Sequence, residues 1–246
     1  MSHIPQLKIP ATYMRGGTSK GTFFKLGDLP ASAKAPGVAR DTLLLRVVGS
    51  PDPYGKQTDG MGGATSSTSK VVIVSKSEQI DHDVDYLFGQ VAIDKAFIDW
   101  SGNCGNLTSA VGSFAILSGL IDAELIPQNG VVAVRIWQAN ISKTIIAYIP
   151  ITDGEVQETG DFELDGVTFP AAEVRLDFMN PAADVFPTCN VVDEMLLPID
   201  QNLGALAGSS LPWTMNNAGI PTSFFKAADV PFMGTELICV MNYYDK

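Results

Sequence analysis

The segment Trp100 to Leu120, WSGNCGNLTSAVGSFAILSGL, constrains the fold more than any other part of this 246-residue chain. From Leu107 to Leu117 it carries no charged residue. Its apolar positions (Leu107, Ala110, Val111, Phe114, Ala115, Leu117) cover more than one face of a helix, with Ser, Thr and Gly between them. Such a helix has no side that asks for bulk solvent. The pattern predicts a central, buried helix starting at or just after Cys104, within the turn-forming cluster Asn103-Cys104-Gly105-Asn106. The free N–H groups of its first turn and the positive end of its dipole then lie beside the Cys104 sulfur, a setting that favours a thiolate. Gly105 lets the backbone pass close to a bound group. A free cysteine is more commonly a small buried hydrophobe. It is the flanking residues that make Cys104 a candidate for chemistry.

Composition narrows the class. With 46% hydrophobic and 17% charged residues, and a mean hydropathy of +0.15, the chain reads as a globular protein of one or two domains with a large core. A net charge of −11 argues against nucleic acid and anionic membrane surfaces as partners, and leaves room for a local basic site for an acidic metabolite. The amino terminus lacks a signal-peptide core and no apolar run approaches the ~18 residues of a membrane span, so the cytoplasm is the expected compartment. Three cysteines in unrelated contexts and two histidines argue against a disulfide framework, a zinc site or a histidine triad. No metal or other cofactor is expected.

In chain order, Ala11 to Leu29 predicts a short strand, a glycine-rich turn over Arg15 to Gly21 and a strand around Thr22 to Lys25. Amides in such a turn can converge on an anion, with the Thr18 and Ser19 hydroxyls beside them; a plain hairpin is the alternative. Pro30 to Leu45 predicts a helix with a loose start, and Gly49 to Gly60 a loop. A second glycine-rich element, DGMGGATSSTSK, then runs into the apolar strand Val71 to Val74, which places Lys70 at the mouth of a buried strand. Gly62, Gly63, Thr65, Ser66, Ser67, Thr68 and Ser69 suit a polar ligand. Val84 to Ile98 predicts a strand or strand pair, and Val131 to Ile149 and Glu155 to Phe178 predict strands with turns at Thr152 to Gly154 and Leu164 to Gly166. Asn180 to Thr188 is the best linker candidate.

Beyond the linker the chain echoes its beginning. Gly21 to Pro30, GTFFKLGDLP, and Thr222 to Pro231, TSFFKAADVP, match at a constant offset of 201 positions. The echo suggests two copies of one unit, divided as 1–185 and 186–246. At that offset the second counterparts of Lys70 and Cys104 would fall beyond residue 246, so the second copy is expected to be incomplete.

Four blocks, YMRGGTSKGTFF, DGMGGATSSTSK, IDWSGNCGN and NAGIPTSFF, closely resemble in that order those of the PrpF proteins, the methylaconitate cis-trans isomerases of the methylcitrate pathway of propionate catabolism. The resemblance runs from about Pro10 to Leu237. It implies an α+β, diaminopimelate-epimerase-like fold: a sheet curled around a central buried helix, in two pseudo-repeated domains, the second incomplete here. It also implies that Lys70 and Cys104 form a catalytic pair. The substrate-binding residues would be Arg15, Gly17, Thr18, Ser19, Gly63, Thr65, Ser66, Ser67, Asn103, Gly105 and Asn106. The related epimerases use two cysteines, and neither Cys189 nor Cys239 has a G-N-C-G-N context, so one-base or lysine-plus-cysteine chemistry is the better reading. The expected substrate is an aconitate-type tricarboxylate. A homo-oligomer and an aconitase-like partner enzyme are left open, as are two other functions: a non-catalytic binding protein, and a racemase or epimerase on another carboxylate.

Overall fold

The structure, a computed structural model, describes residues 6–180 in full, together with the backbone of 195–198, 210–217 and 221–224. The chain divides into two compact units, Met1–Asn180 and Pro181–Lys246.

The first unit is built on a nine-stranded mixed sheet and three helices. In chain order it comprises β1 (Thr12–Gly16), β2 (Ser19–Lys25), α1 (Ala31–Lys34), α2 (Val38–Val48), β3 (Lys70–Lys76), β4 (Val84–Val91), β5 (Ile98–Asp99), α3 (Gly105–Leu117), β6 (Asn129–Gln138), β7 (Lys143–Thr152), β8 (Glu155–Val156) and β9 (Arg175–Phe178). The spatial order is β1-β2-β3-β4-β6-β7-β8, with β5 on β4 and β9 on β7. Two neighbouring pairs are parallel, β2 with β3 and β4 with β6; the rest are antiparallel.

α3 is the expected buried helix. It touches β1 and β2 near one edge of the sheet and β7, β8 and β9 near the other, which is possible only because the sheet curls around it. Leu107, Val111 and Ala115 are fully buried, and Ala110, Phe114 and Ile116 nearly so. At Gly112 the helix backbone meets β7 so closely that a Cβ would come within 2.8 Å of two carbons of Ile149.

Period-two alternation sorts each central strand between the sheet's two faces. In β3, Val72 and Val74 join the core around α3, while Val71 and Ile73 join a second core under α2 with Phe24, Leu44 and Val48. In β4, Val84, Tyr86 and Phe88 share the α3 side. The register sets Val74 opposite Tyr86, Val72 opposite Phe88 and Lys70 opposite Gln90. The inner row of side chains is therefore apolar until its last pair, which is Lys70 and Gln90.

Several local expectations are corrected. The glycine-rich stretch Arg15 to Gly21 is mostly strand, with Gly16 paired to Ser19 across a two-residue turn at Gly17-Thr18. Helix over Pro30 to Leu45 breaks at Pro36-Gly37, where Gly37 takes φ 135° before α2 begins. Val131 to Ile149 is two strands, folded back at residues 139–142 with Ser142 at φ 53°. Glu155 to Phe178 is strand only at its two ends; between them lie a bridge of Phe162 to Ala171 and the expected turn at Leu164 to Val167.

In the second unit, β10 (Met195–Pro198), β11 (Ser210–Asn217) and β12 (Pro221–Phe224) form a three-stranded antiparallel sheet. The proposed linker after Asn180, Cys189, Cys239 and the repeat after Phe224 lie outside the described residues.

Candidate active site

Lys70 begins β3 with its side chain on the α3 face, and Cys104 is the N-cap residue of α3. Strand parity and the helix start thus deliver both side chains to one place. Both are buried, and the Lys70 amine lies close enough to the Cys104 sulfur for the two groups to interact electrostatically. Lys70 Nζ also donates to Gln90 Oε1 at 2.5 Å and stands 5.0 Å from the centre of the Phe88 ring. Burial pushes the Lys70 pKa down from its ordinary value, and the Cys104 sulfur beside it partly opposes that shift by favouring the ammonium.

The Cys104 backbone is held firmly. Its carbonyl accepts from Thr108 N–H at 3.0 Å and from the Tyr86 hydroxyl at 3.5 Å, with the Thr108 hydroxyl 2.9 Å away. Tyr86 is wholly buried, and that burial, followed by the nearby sulfur, raises its pKa well above 10. Thr108 N–H makes the first bond of the helical ladder, so the amides of Gly105, Asn106 and Leu107 precede it. The Cys104 side chain does not cap them. A side chain at Gly105 would meet only Phe178, at 3.9 Å, so there is open space beside the first residue of the helix.

The β1–β2 hairpin closes one side. Glycine is required at two of its positions by close approach to α3: a Cβ on Gly16 would lie 2.5 Å from the Asn106 carbonyl oxygen, and one on Gly17 (φ +52°) 2.5 Å from Asn106 Oδ1. Of the hairpin amides, that of Lys20 is taken by Ser67 O at 2.9 Å. What the hairpin offers is hydroxyls. Asn106 Nδ2 donates to Thr18 Oγ1 at 3.0 Å and to Ser19 Oγ at 3.4 Å, which leaves both hydroxyl protons free to point at another acceptor. The exposed Arg15 folds back to donate to Gly17 O at 2.9 Å. Arg15, Gly17, Gly105 and Asn106 line a cavity of about 590 Å³ that continues beneath residues 157–176.

The second glycine-rich element closes the other side. Gln90 Nε2 donates to Ser66 O and Ser69 O, both at 3.1 Å. Gly63 and Thr65 make their hydrogen bonds inside the loop, Gly63 N–H to Thr68 O and the Thr65 hydroxyl with Ser67 and Thr68. Asn103 is buried, its Oδ1 3.3 Å from the Thr108 hydroxyl. Hydrogen bonds therefore link Lys70 to Ser66 through Gln90, Cys104 to Asn103 through Thr108, and Thr18 and Ser19 to Asn106. Gly63 and Thr65 shape the loop.

Sequence reasoning missed Gln90, Phe88, Tyr86, Thr108 and the buried Gln57. The Gln57 amide accepts from Ala64 N–H and the Ser69 hydroxyl and donates to Ser50 Oγ, each at 2.8 Å. The alternation Val84, Tyr86, Phe88, Gln90 was the available signal for the first three.

A sheet curled on a buried helix is an α+β fold of the racemase and epimerase kind. The solved structure of a probable proline racemase from Agrobacterium radiobacter shares this fold, with a TM-score of 0.53 at 12% identity over 91% of this chain and 54% of that one. Within the class, the profile described as PrpF protein matches residues 6–245, and the chain belongs to the PrpF family. Proteins named 2-methyl-aconitate isomerase from Cupriavidus necator and Shewanella oneidensis are 65% and 68% identical over 98% and 95% of this chain. The crystal structure of methylitaconate-delta-isomerase matches 96% of this chain and 57% of its own, with a TM-score of 0.69 at 35% identity. The chain spans 61% and 58% of the length of the two isomerases.

Proposed function

We propose that this chain carries the acid–base half of a cofactor-independent isomerase acting on aconitate-type tricarboxylates, with 2-methylaconitate the substrate its relatives' names favour. The observation that carries the proposal is the buried Lys70 amine beside the Cys104 sulfur at a helix start that the cysteine side chain does not cap. A proton on a carbon allylic to the double bond of such an acid is weakly acidic, so its removal needs a tuned base and fixed donors for the growing charge. Lys70, with its pKa lowered by burial, supplies a neutral amine nearer to working pH than an ordinary lysine. Its removal of that proton leaves a dienolate in which the former double bond has single-bond character and can rotate. Return of the proton to the same carbon fixes the new geometry. Cys104, beside Lys70, exchanges protons with it, and the amides of Gly105, Asn106 and Leu107 meet a carboxylate as its charge grows. The Thr18 and Ser19 hydroxyls, Arg15 and the Ser66–Ser67 segment bind the other carboxylates. In the same proposal the enzyme works in the cytoplasm, in the methylcitrate route beside an aconitase-like enzyme.

The test is solvent deuterium uptake by trans-aconitate and 2-methylaconitate, followed by NMR. Lys70→Ala should slow both uptake and isomerisation by at least ~10², the usual loss when an acid–base group is removed. Cys104→Ser should slow turnover with less effect on binding. Near-normal deuterium uptake in Lys70→Ala would remove lysine from the base role. Tight binding of the acids without any exchange would instead favour the non-catalytic binding protein.

A further inference from the structure

We infer that Gln90 is the positioning residue for Lys70: it presents a neutral acceptor that fixes the amine in place and ties it to the second glycine-rich loop. The inference rests on Lys70 being the proton-transfer group proposed above.

The orientation of the Gln90 amide is dictated by its partners. Its Nε2 sits 3.1 Å from two carbonyl oxygens, those of Ser66 and Ser69, and its Oε1 sits 2.5 Å from Lys70 Nζ. A flipped amide would set Oε1 against two carbonyls and an N–H against the lysine's own N–H groups, losing every bond. The oxygen must therefore face Lys70. The backbone reinforces this, because Lys70 and Gln90 are opposite each other in the β3–β4 register, with both side chains on the α3 face.

The choice of an uncharged acceptor has consequences for the proton. Lys70 Nζ is flanked by three things: Gln90 Oε1, the Phe88 ring and the Cys104 sulfur. Phe88 and Gln90 from β4 and Gly21 from β2 carry no charge, and the titratable group that faces the amine is Cys104, from α3. With one N–H fixed on Gln90, the directions left to the other N–H and to the lone pair of the neutral amine are restricted by tetrahedral geometry. A carboxylate in place of the amide would form an ion pair in a buried site, hold the lysine as ammonium and raise its pKa. An apolar side chain would remove the acceptor that favours the ammonium and lower the pKa further. Gln90 thus sets both where the lysine lone pair points and the pH at which it is available.

The experiment follows the Lys70 titration directly, by NMR of lysine labelled at Cε and Nζ in the whole chain, with Lys70→Arg assigning the signal. Gln90→Glu should move the Lys70 titration upward by a unit or more, and Gln90→Met should move it downward. Turnover of trans-aconitate is recorded in parallel across pH. In Gln90→Glu, kcat at pH 8 should fall about tenfold for each unit of upward shift and recover as pH rises, with KM changing less. A purely structural role would lower kcat equally at every pH. A Lys70 titration that stays within ~0.2 units of wild type in both folded variants would overturn the inference. If Gln90→Glu fails to fold, Gln90→Met decides alone by the direction of its shift. Absence of turnover in the wild-type chain would count against the proposed function and leave the titration result for Gln90 standing.

Discussion

Asn140 offers the sharpest check on how the fold holds the site. The parallel pairing of β4 with β6 ends at Tyr86 opposite Gln138, with Ala139 N–H donating to Tyr86 O at 2.9 Å. One step further on, a side chain takes over from the backbone. Asn140 Oδ1 accepts from Phe88 N–H and Nδ2 donates to Phe88 O, both at 2.8 Å, while Nδ2 also donates to Trp100 O and Oδ1 accepts from Gln138 Nε2, both at 2.6 Å. The amide's two donors and two acceptor positions are all used. Asn140→Ala would leave the Phe88 N–H, the Phe88 and Trp100 carbonyls and the Gln138 amide without these partners. A buried orphan costs about 1–3 kcal/mol. Asn140 is half-buried and water reaches part of the site, so the lower figure applies and the total is about 3–4 kcal/mol. That is a large share of the ~5–15 kcal/mol that holds a typical domain together. In urea, with a slope of ~2 kcal/mol per molar, the unfolding midpoint should fall by roughly 1.5–2 M when followed by tryptophan fluorescence. Asn140→Asp should not rescue it, because a carboxylate oxygen would face the Phe88 and Trp100 carbonyls. A midpoint shift below ~0.5 M would refute the reasoning and show that water replaces this amide at little cost.

The helix–hairpin contact predicts that Gly16→Ala, whose Cβ would meet backbone atoms of Asn106 and Leu107 at 2.5 and 2.9 Å, destabilises by about 1–3 kcal/mol, while Gly102→Ala, with nothing within 4 Å, stays within ~0.5 kcal/mol; thermal denaturation of the two side by side decides it. The depressed Lys70 pKa predicts a pH dependence of stability. Between the folded value and the unfolded ~10.4 the unfolded chain binds more protons, so this group's contribution to stability rises with pH across that window. Lys70→Met removes that gain, and its stability relative to wild type should therefore decline as pH is raised from ~7 to ~10 in denaturant titrations. A difference that is flat or grows in the mutant's favour would contradict the burial argument.

How far the sequence reveals the fold depends on where each residue's partners lie. The buried helix was legible because eleven uncharged residues with apolar groups on more than one face leave no other place for it, and Cys104 at its start comes from the same run. Lys70 at the mouth of a buried strand was legible for a similar reason, since Val71 to Val74 are apolar on both faces. The packing role of the hairpin glycines was not legible. Their function is set by the first turn of α3, about ninety positions away, and a local reading cannot distinguish a glycine that cradles an anion from one that admits a neighbouring backbone. The turn at 139–142 was missed because it contains no glycine or proline; Ala139 and Ile141 hide it, and Gln138 Oε1 closes it by accepting from Ile141 N–H. Gln90 and Asn140 were invisible as organisers because an amide on a strand becomes informative only when the register says what stands opposite it.

That register also explains why a lysine can be buried here at all. The inner row of β3 and β4 is apolar through Val74 and Tyr86, then Val72 and Phe88, and one more apolar pair at 70 and 90 would simply lengthen the core. Such a pair would set hydrocarbon against Cys104 and the positive end of the α3 dipole that starts there. Lys70 and Gln90 end the apolar row at the level where α3 begins, so that polar groups meet polar groups. Lysine alone would set a charge against the positive helix end; the Cys104 sulfur between them favours the ammonium and relieves that conflict. Gln90 adds an acceptor without adding a charge, and its two bonds to Ser66 O and Ser69 O draw the loop over the same spot. The residues that close the core and the residues that form the candidate site are therefore consecutive members of one alternating row, and substitution at position 90 should disturb the lysine before it disturbs the sheet.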